Sequence, residues 1–231
     1  MNIIAVIPAR AGSKRIPKKN IKDLKGKPLL VWSIETAQKV SFSHIVVSTD
    51  TPQVAEIARN SGAEVPFLRA SKNATDESNV ISAVEEVINF YKSKGEPVDA
   101  VMLLQPTSPF RTHETVKKAI EIFKTFGGDS VVSVSAARTH PYWCKQINDG
   151  ILYPFDSSYD IELRSQDLPE VYQLNGAIYL ASIETLQTRR SFYSQNTRAL
   201  LIDSVEESLD IDTPFDWLVA ETIANRRSNK K

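Results

Sequence analysis

The chain has 231 residues, with 28 Lys+Arg balanced by 28 Asp+Glu, 42% apolar residues and 24% charged residues. These are ordinary globular values that argue against disorder, and the zero net charge speaks against a dedicated duplex-binding protein. A lone cysteine, Cys144, excludes a disulfide framework or a thiolate zinc cluster and fits a reducing compartment.

The first predicted element is a strand over Ile3 to Ile7, a short, continuous β-branched run of the kind buried on both faces. The start of the chain has no basic lead and reaches Arg10 and Lys14 too early for a signal peptide. No apolar run approaches the ~18 residues needed to span a bilayer. A cytoplasmic protein without membrane or nucleic-acid partners is expected. Similar strands are read at His44 to Ser48, Ala100 to Leu104 and Ser130 to Val134. Between them, Thr51-Pro52 opens a helix that ends at Gly62. Ser78 opens a second, with Ile81, Val84, Ile88 and Tyr91 on one face, closing at Gly95. Thr112 opens a third, with Val116, Ala119, Ile120 and Phe123 facing inward and Gly127 at its end. Buried strands alternating with amphipathic helices predict an α/β fold, Rossmann-like, with a mostly parallel sheet and flanking helices. The pattern breaks at about residues 138–173, where prolines and aromatics gather without helical periodicity. That segment is read as a hairpin-like arm inserted in a single domain spanning 1–231. Ala177 to Leu180 then returns as a strand. An apolar, aromatic arm suits a subunit interface.

The loop after the first strand carries five cations between Arg10 and Lys19, with Gly12 and Ser13 among them. In an open parallel sheet, ligands bind at the carboxyl ends of the strands. There Arg10 and Lys14 would supply charge to a polyphosphate, Gly12 would allow close backbone approach, and Ser13 would donate a hydrogen bond. A solvated basic loop is the plainer alternative. The P-loop spacing and the G-x-G-x-x-G fingerprint are both absent. Near the other end, Asp210-Ile211-Asp212 reads as an extended segment with both carboxylates on one face, a fit for Mg²⁺. Alternatively, Asp212 only supports the helix opened by Thr213-Pro214. Residues 1–27 hold eight bases and one acid, a net of +7, and residues 199–225 hold seven acids and no base.

The run Pro8-Ala9-Arg10-Ala11-Gly12-Ser13-Lys14-Arg15-Ile16-Pro17, with Lys19-Asn20, strongly resembles the acylneuraminate cytidylyltransferases. So do Gly26-Lys27-Pro28-Leu29, Val47-Ser48-Thr49-Asp50, Val65 to Arg69, Leu104 to Pro109, Gln166 to Tyr172, Asn175 to Tyr179 and Asp210 to Thr213, in the family's order across about residues 3–216. The resemblance implies a homodimer joined through the 138–173 arm. It also implies an enzyme that uses CTP and Mg²⁺ to activate a nine-carbon 2-keto sugar acid, giving the CMP-sugar and pyrophosphate. Sialic, legionaminic and pseudaminic acids are the candidate acceptors. A non-catalytic nucleotide-binding homologue is the alternative from another class.

By the same resemblance, Arg10, Lys14 and Lys19 would neutralise the phosphates. Gly12, Ser13, Asn20, Arg69 and Ser78 would complete the nucleotide site. Gln105, Thr107, Ser108, Arg164, Gln166, Asn175 and Tyr179 would meet the sugar, and Asp210 and Asp212 would hold Mg²⁺. On residues alone, Pro106-Thr107-Ser108-Pro109 is an ordinary turn and Phe192-Tyr193 an ordinary core pair. Two positions depart from some relatives: Ser165 and Gln173 stand where a second arginine and a basic residue occur. Glutamine cannot grip a carboxylate bidentately as arginine does.

Overall fold

The computed structural model describes residues 1–10, 12–69, 80–155, 164 and 168–228. The four expected strands form as β1 (Ile3–Pro8), β2 (His44–Ser48), β3 (Ala100–Leu103) and β4 (Ser130–Ala136). The hairpin β5 (Lys145–Asn148) and β6 (Ile151–Pro154) stands apart as its own two-stranded sheet. Two further strands, β7 (Tyr172–Ser182) and β8 (Arg198–Leu201), complete a six-stranded sheet in the order β2-β1-β3-β7-β4-β8. β1 runs parallel to β2 and β3, and β4 parallel to β8. β7 lies antiparallel between β3 and β4. The sheet is therefore mixed, with β7 alone reversed among the described strands, as the expectation of a mostly parallel sheet allows.

Burial on both faces follows from the alternation within β1. Ile3, Ala5 and Ile7 pack on one side, against residues from α1 (Leu29–Gln38), α2 (Pro52–Asn60) and α4 (His113–Thr125). Ile4 and Val6 pack on the other, against α3 (Val80–Ser93) and α5 (Ile183–Arg189). Each such side chain fully removed from water contributes on the order of 1.5–3 kcal/mol. The caps are those read from the sequence: Thr51 accepts from the Val54 amide and Thr112 from the Thr115 amide. The Ser78 cap lies outside the described residues.

A third core cluster joins α6 (Pro214–Ser228) to the first loop. Trp217, Ala220 and Ala224 of α6 pack with Ile211, Ile16, Leu24 and Phe110. Thr213 and Asp216 cap α6 reciprocally: the Thr213 amide donates to Asp216 (2.7 Å) and the Asp216 amide to the Thr213 hydroxyl (3.2 Å). The acidic segment before α6 is thereby fixed beside the basic loop after β1. Among the described residues, no helix is long and apolar enough to cross a membrane.

Candidate active site

Side chains leaving the carboxyl ends of β1 and β3 surround an open cleft of about 500 Å³. Arg10, Gly12, Ser13, Lys14, Lys19 and Asn20 line it from the first loop. Arg69 comes from the segment after α2, Gln105 and Thr107 from the turn after β3, and Asp212 from the segment before α6. These are ten of the residues expected at the site, drawn from four distant stretches of sequence.

The first loop is held from within. Asn20, nearly buried, donates its carboxamide to the Arg10 carbonyl at 2.9 Å, and the Ala9 amide donates to the Ser48 carbonyl at 2.9 Å. Lys19 reaches the acidic segment instead of standing free in the cleft. Its Nζ donates to the Ile211 carbonyl (2.6 Å) and to Asp212 Oδ1 (3.1 Å). Arg69 is 7% exposed and its amide donates to the Thr49 carbonyl at 2.8 Å. Burial lowers its guanidinium below the usual arginine value; Glu86 and Asp50 oppose that shift, while the neighbouring charge of Arg10 adds to it. Such a set of cations at a sheet edge is suited to a polyanion.

The two aspartates differ. Asp212 is exposed and lines the cleft, with its amide donating to Asp216 at 3.1 Å. Asp210 is half-buried and is not part of the cleft lining. Burial raises its carboxyl, opposed by the Thr107 hydroxyl. It sits over Gly176, whose φ of +72° suits glycine and where a Cβ would come within 3.2 Å of Asp210 Oδ2. Asp210 Oδ1 is buried without a hydrogen-bond partner among the described residues.

The expected sugar-contacting residues divide. Gln105 and Thr107 line the cleft. Tyr179 instead lines an adjoining cavity of about 290 Å³ with Phe192, Tyr193 and Arg190, and Gln105 is shared by both. Burial raises the Tyr179 hydroxyl to about 12. Ser108 is fully buried, and so is Asn175, whose Oδ1 accepts from Ser133 Oγ (2.6 Å) and the Ala177 amide (3.2 Å). Asn175 pins the irregular pairing of β7 with β4 and lines neither cavity. Arg164 is exposed and also lines neither. Ser78 and Gln166 lie outside the described residues.

Sequence reasoning missed Arg111. It is 3% exposed, and its Nη2 donates to the carbonyls of Gln105 and Ser108, the latter at 2.8 Å. Burial lowers its guanidinium to about 9, against the attraction of Asp210. An arginine ahead of a helix cap carries no signal of burial, since charged side chains usually face water.

The family model for cytidylyltransferases matches residues 4–223. The chain belongs to the cytidylyltransferase family. It is 46% identical over 225 residues to the CMP-N,N'-diacetyllegionaminic acid synthase of Legionella pneumophila, covering 96% of each chain. It is 32% identical over 233 residues to the N-acylneuraminate cytidylyltransferase of Escherichia coli O18:K1:H7, covering 99% of this chain but 54% of that protein. The resemblance to acylneuraminate cytidylyltransferases is thereby borne out. Among solved structures, a CMP:2-keto-3-deoxy-manno-octonic acid synthetase complexed with CTP shares the fold at a TM-score of 0.73, with 18% identity and full coverage of both chains. The 4-diphosphocytidyl-2C-methyl-D-erythritol synthase of Anaerococcus prevotii follows at 0.64, with 14% identity over 97% of this chain and 96% of that one.

Proposed function

We propose that this cytidylyltransferase moves CMP from CTP to the anomeric hydroxyl of a nonulosonic acid, with N,N'-diacetyllegionaminic acid as the preferred acceptor. The observation that carries the reading is the Lys19–Asp212 contact, which brings a cationic loop and a carboxylate to one cleft. In the transfer, the sugar C2 hydroxyl gives up its proton to water and its oxygen bonds to the α-phosphorus, the bond from that phosphorus to the bridging oxygen breaks, and pyrophosphate leaves. Such displacements depend on positioning and charge neutralisation more than on covalent chemistry. Arg10 and Lys14 face the phosphates, and Lys19 holds Asp212 in place beside them. Gly12, Ser13, Asn20 and Arg69 shape the nucleotide side, and Gln105 and Thr107 the acceptor side. The cavity under Tyr179 offers room for an acylamino substituent of the sugar.

The donor set fits a divalent cation, and we assign it to magnesium. Mg²⁺ takes one or two carboxylates together with phosphate oxygens. Asp212 offers oxygen in the cleft, and Asp210 Oδ1, two residues back, has no hydrogen-bond partner among the described residues. Asp212, backed by Asp210, would hold the ion, which when bound supplies positive charge against the phosphates. The free, exposed thiol of Cys144 suits a cytoplasmic enzyme.

The preference for legionaminic acid rests on the 46% identity across nearly the whole of both chains. Sialic acid is the second reading, supported by the 32% match. Pyrophosphate release from CTP, followed with diacetyllegionaminic, N-acetylneuraminic and pseudaminic acids, tests both. We expect kcat/KM for diacetyllegionaminic acid to exceed the others at least about tenfold, a difference of about 1.4 kcal/mol. A lead for N-acetylneuraminic acid would overturn the preference and leave the transfer standing.

A further inference from the structure

We infer that Arg111 is a positioning residue of the acceptor site, bracing from beneath the turn that carries Gln105. The inference rests on the transferase reading above, and it concerns a residue that never touches the cleft. Gln105 and Val80 line both the cleft and the adjoining cavity, and of the two only Gln105 carries a polar side chain. Its carboxamide can meet a sugar consistently only if its backbone is fixed. The turn's own bond is weak for that purpose: the Ser108 amide reaches the Gln105 carbonyl at 3.3 Å, beyond the usual range for such bonds. Two side chains converge on the same carbonyl from below. Arg111 Nη2 donates to it and also to the Ser108 carbonyl at 2.8 Å, closing both ends of the turn with one nitrogen. Ser33 Oγ, on α1, adds a third donor at 3.3 Å.

A buried guanidinium is costly unless its donors are used and its charge is met. Here Nη2 is used twice on this turn, while Nε and Nη1 have no hydrogen-bond partner among the described residues. The charge is met by Asp210, which attracts Arg111. The Asp210 segment is tied to the same turn through the Ile211 amide, which donates to the Thr107 carbonyl at 2.8 Å. Arg111 therefore stands under the junction of the acceptor turn and the segment that ends in Asp212. Lysine at this position keeps the charge but cannot present a planar fork to two carbonyls.

The test compares wild type, Arg111→Lys, Gln105→Ala and the double variant. We expect Arg111→Lys to raise KM for the acceptor about tenfold while KM for CTP stays within about twofold. The substitution should add nothing further in the Gln105→Ala background, since coupled residues fail to add. Equal losses for CTP and acceptor, or full additivity with Gln105→Ala, would overturn the inference. A readout independent of turnover is the ¹⁵N-bound side-chain amide of Gln105, assigned by its loss in Gln105→Ala. Its signals should shift or broaden in Arg111→Lys while those of Asn20 stay in place. An unmoved Gln105 signal overturns the inference even if no acceptor is turned over, an outcome that would separately overturn the transferase reading. Should Arg111→Lys fail to fold, Arg111→Gln removes the buried charge and the two-carbonyl fork together. It carries the same NMR expectation, and an unchanged Gln105 signal there overturns the proposal.

Discussion

Lys19 shows how a single cation can serve two parts of a site at once. Its side chain is only 13% exposed, and its ammonium is anchored on the Ile211 carbonyl and on Asp212, whose side chain is 55% exposed. An exposed ion pair alone would be worth at most about 1 kcal/mol. Its value lies in fixing where the Asp212 carboxylate stands in the cleft. Asp212→Asn keeps size and shape but removes the charge, and we expect kcat to fall about a hundredfold or more, the scale seen when a charge-stabilising group is removed. The melting temperature should move by no more than about 2 °C, because Asp212 is exposed and Asp216 makes the α6 cap. Near-normal turnover in this variant would reject the role given to Asp212. At this scale the site was largely legible. The loop cations, Asn20, Gln105 and Asp212 stood out by residue type and family spacing. Ser108 and Asn175 look the same in sequence as cleft residues, and only packing reveals that both are buried, Asn175 with its Oδ1 bonded to Ser133 and the Ala177 amide and Ser108 bonded through its backbone. Arg111 was illegible for the opposite reason, as a charge whose burial depends on Asp210, far away in sequence.

One carboxylate ties together elements around the second cavity. Asp129, just before β4, accepts from the hydroxyl of Thr185 at the head of α5 and from Ser194 at 2.8 Å. It thereby ties α5 and the Phe192–Tyr193 segment, which lines the second cavity, to the sheet. The Thr185 hydroxyl, then that of Ser194, holds its carboxyl below the usual value of 3.8. A depressed acid stabilises the fold above its unfolded pKa, and that contribution is lost as pH falls through the lower folded value. Thermal melts should therefore show stability falling below about pH 4. Asp129→Asn should cost roughly 2–4 °C at pH 7 and flatten the acid limb. Parallel curves for the two proteins would contradict this. The sequence announced short apolar strands and capped helices well, because periodicity and Thr-Pro caps are local signals. It under-read β7 as four residues instead of 11 and did not reveal its reversal, since strand direction is set by pairing partners. The hairpin β5–β6 was anticipated only loosely, although Asp149-Gly150, both at positive φ, forms the two-residue turn such hairpins favour.

The molecule's zero net charge resolves into two opposed blocks that the fold places face to face. The basic loop after β1 and the acidic segment before α6 meet at one cleft, joined by a shared apolar cluster. The β5–β6 hairpin lines no part of that cleft. Ile147, Ile151, Leu152 and Tyr153 leave between 45% and 75% of their surface exposed on it, and an isolated hairpin is marginal in water. A homodimer joined through this arm would cover them, as proposed from the resemblance. Light scattering after size exclusion should give twice the chain mass for wild type and the single chain mass for Ile147→Asp/Leu152→Asp. A wild-type monomer would set the dimer aside. The central claim, transfer of CMP to a nonulosonic acid, is tested most directly by ³¹P NMR of the protein with CTP, Mg²⁺ and diacetyllegionaminic acid. We expect the three triphosphate signals to give way to one phosphodiester and pyrophosphate. Persistence of CTP with each nonulosonic acid tried, or its conversion to CDP and phosphate, would contradict the account.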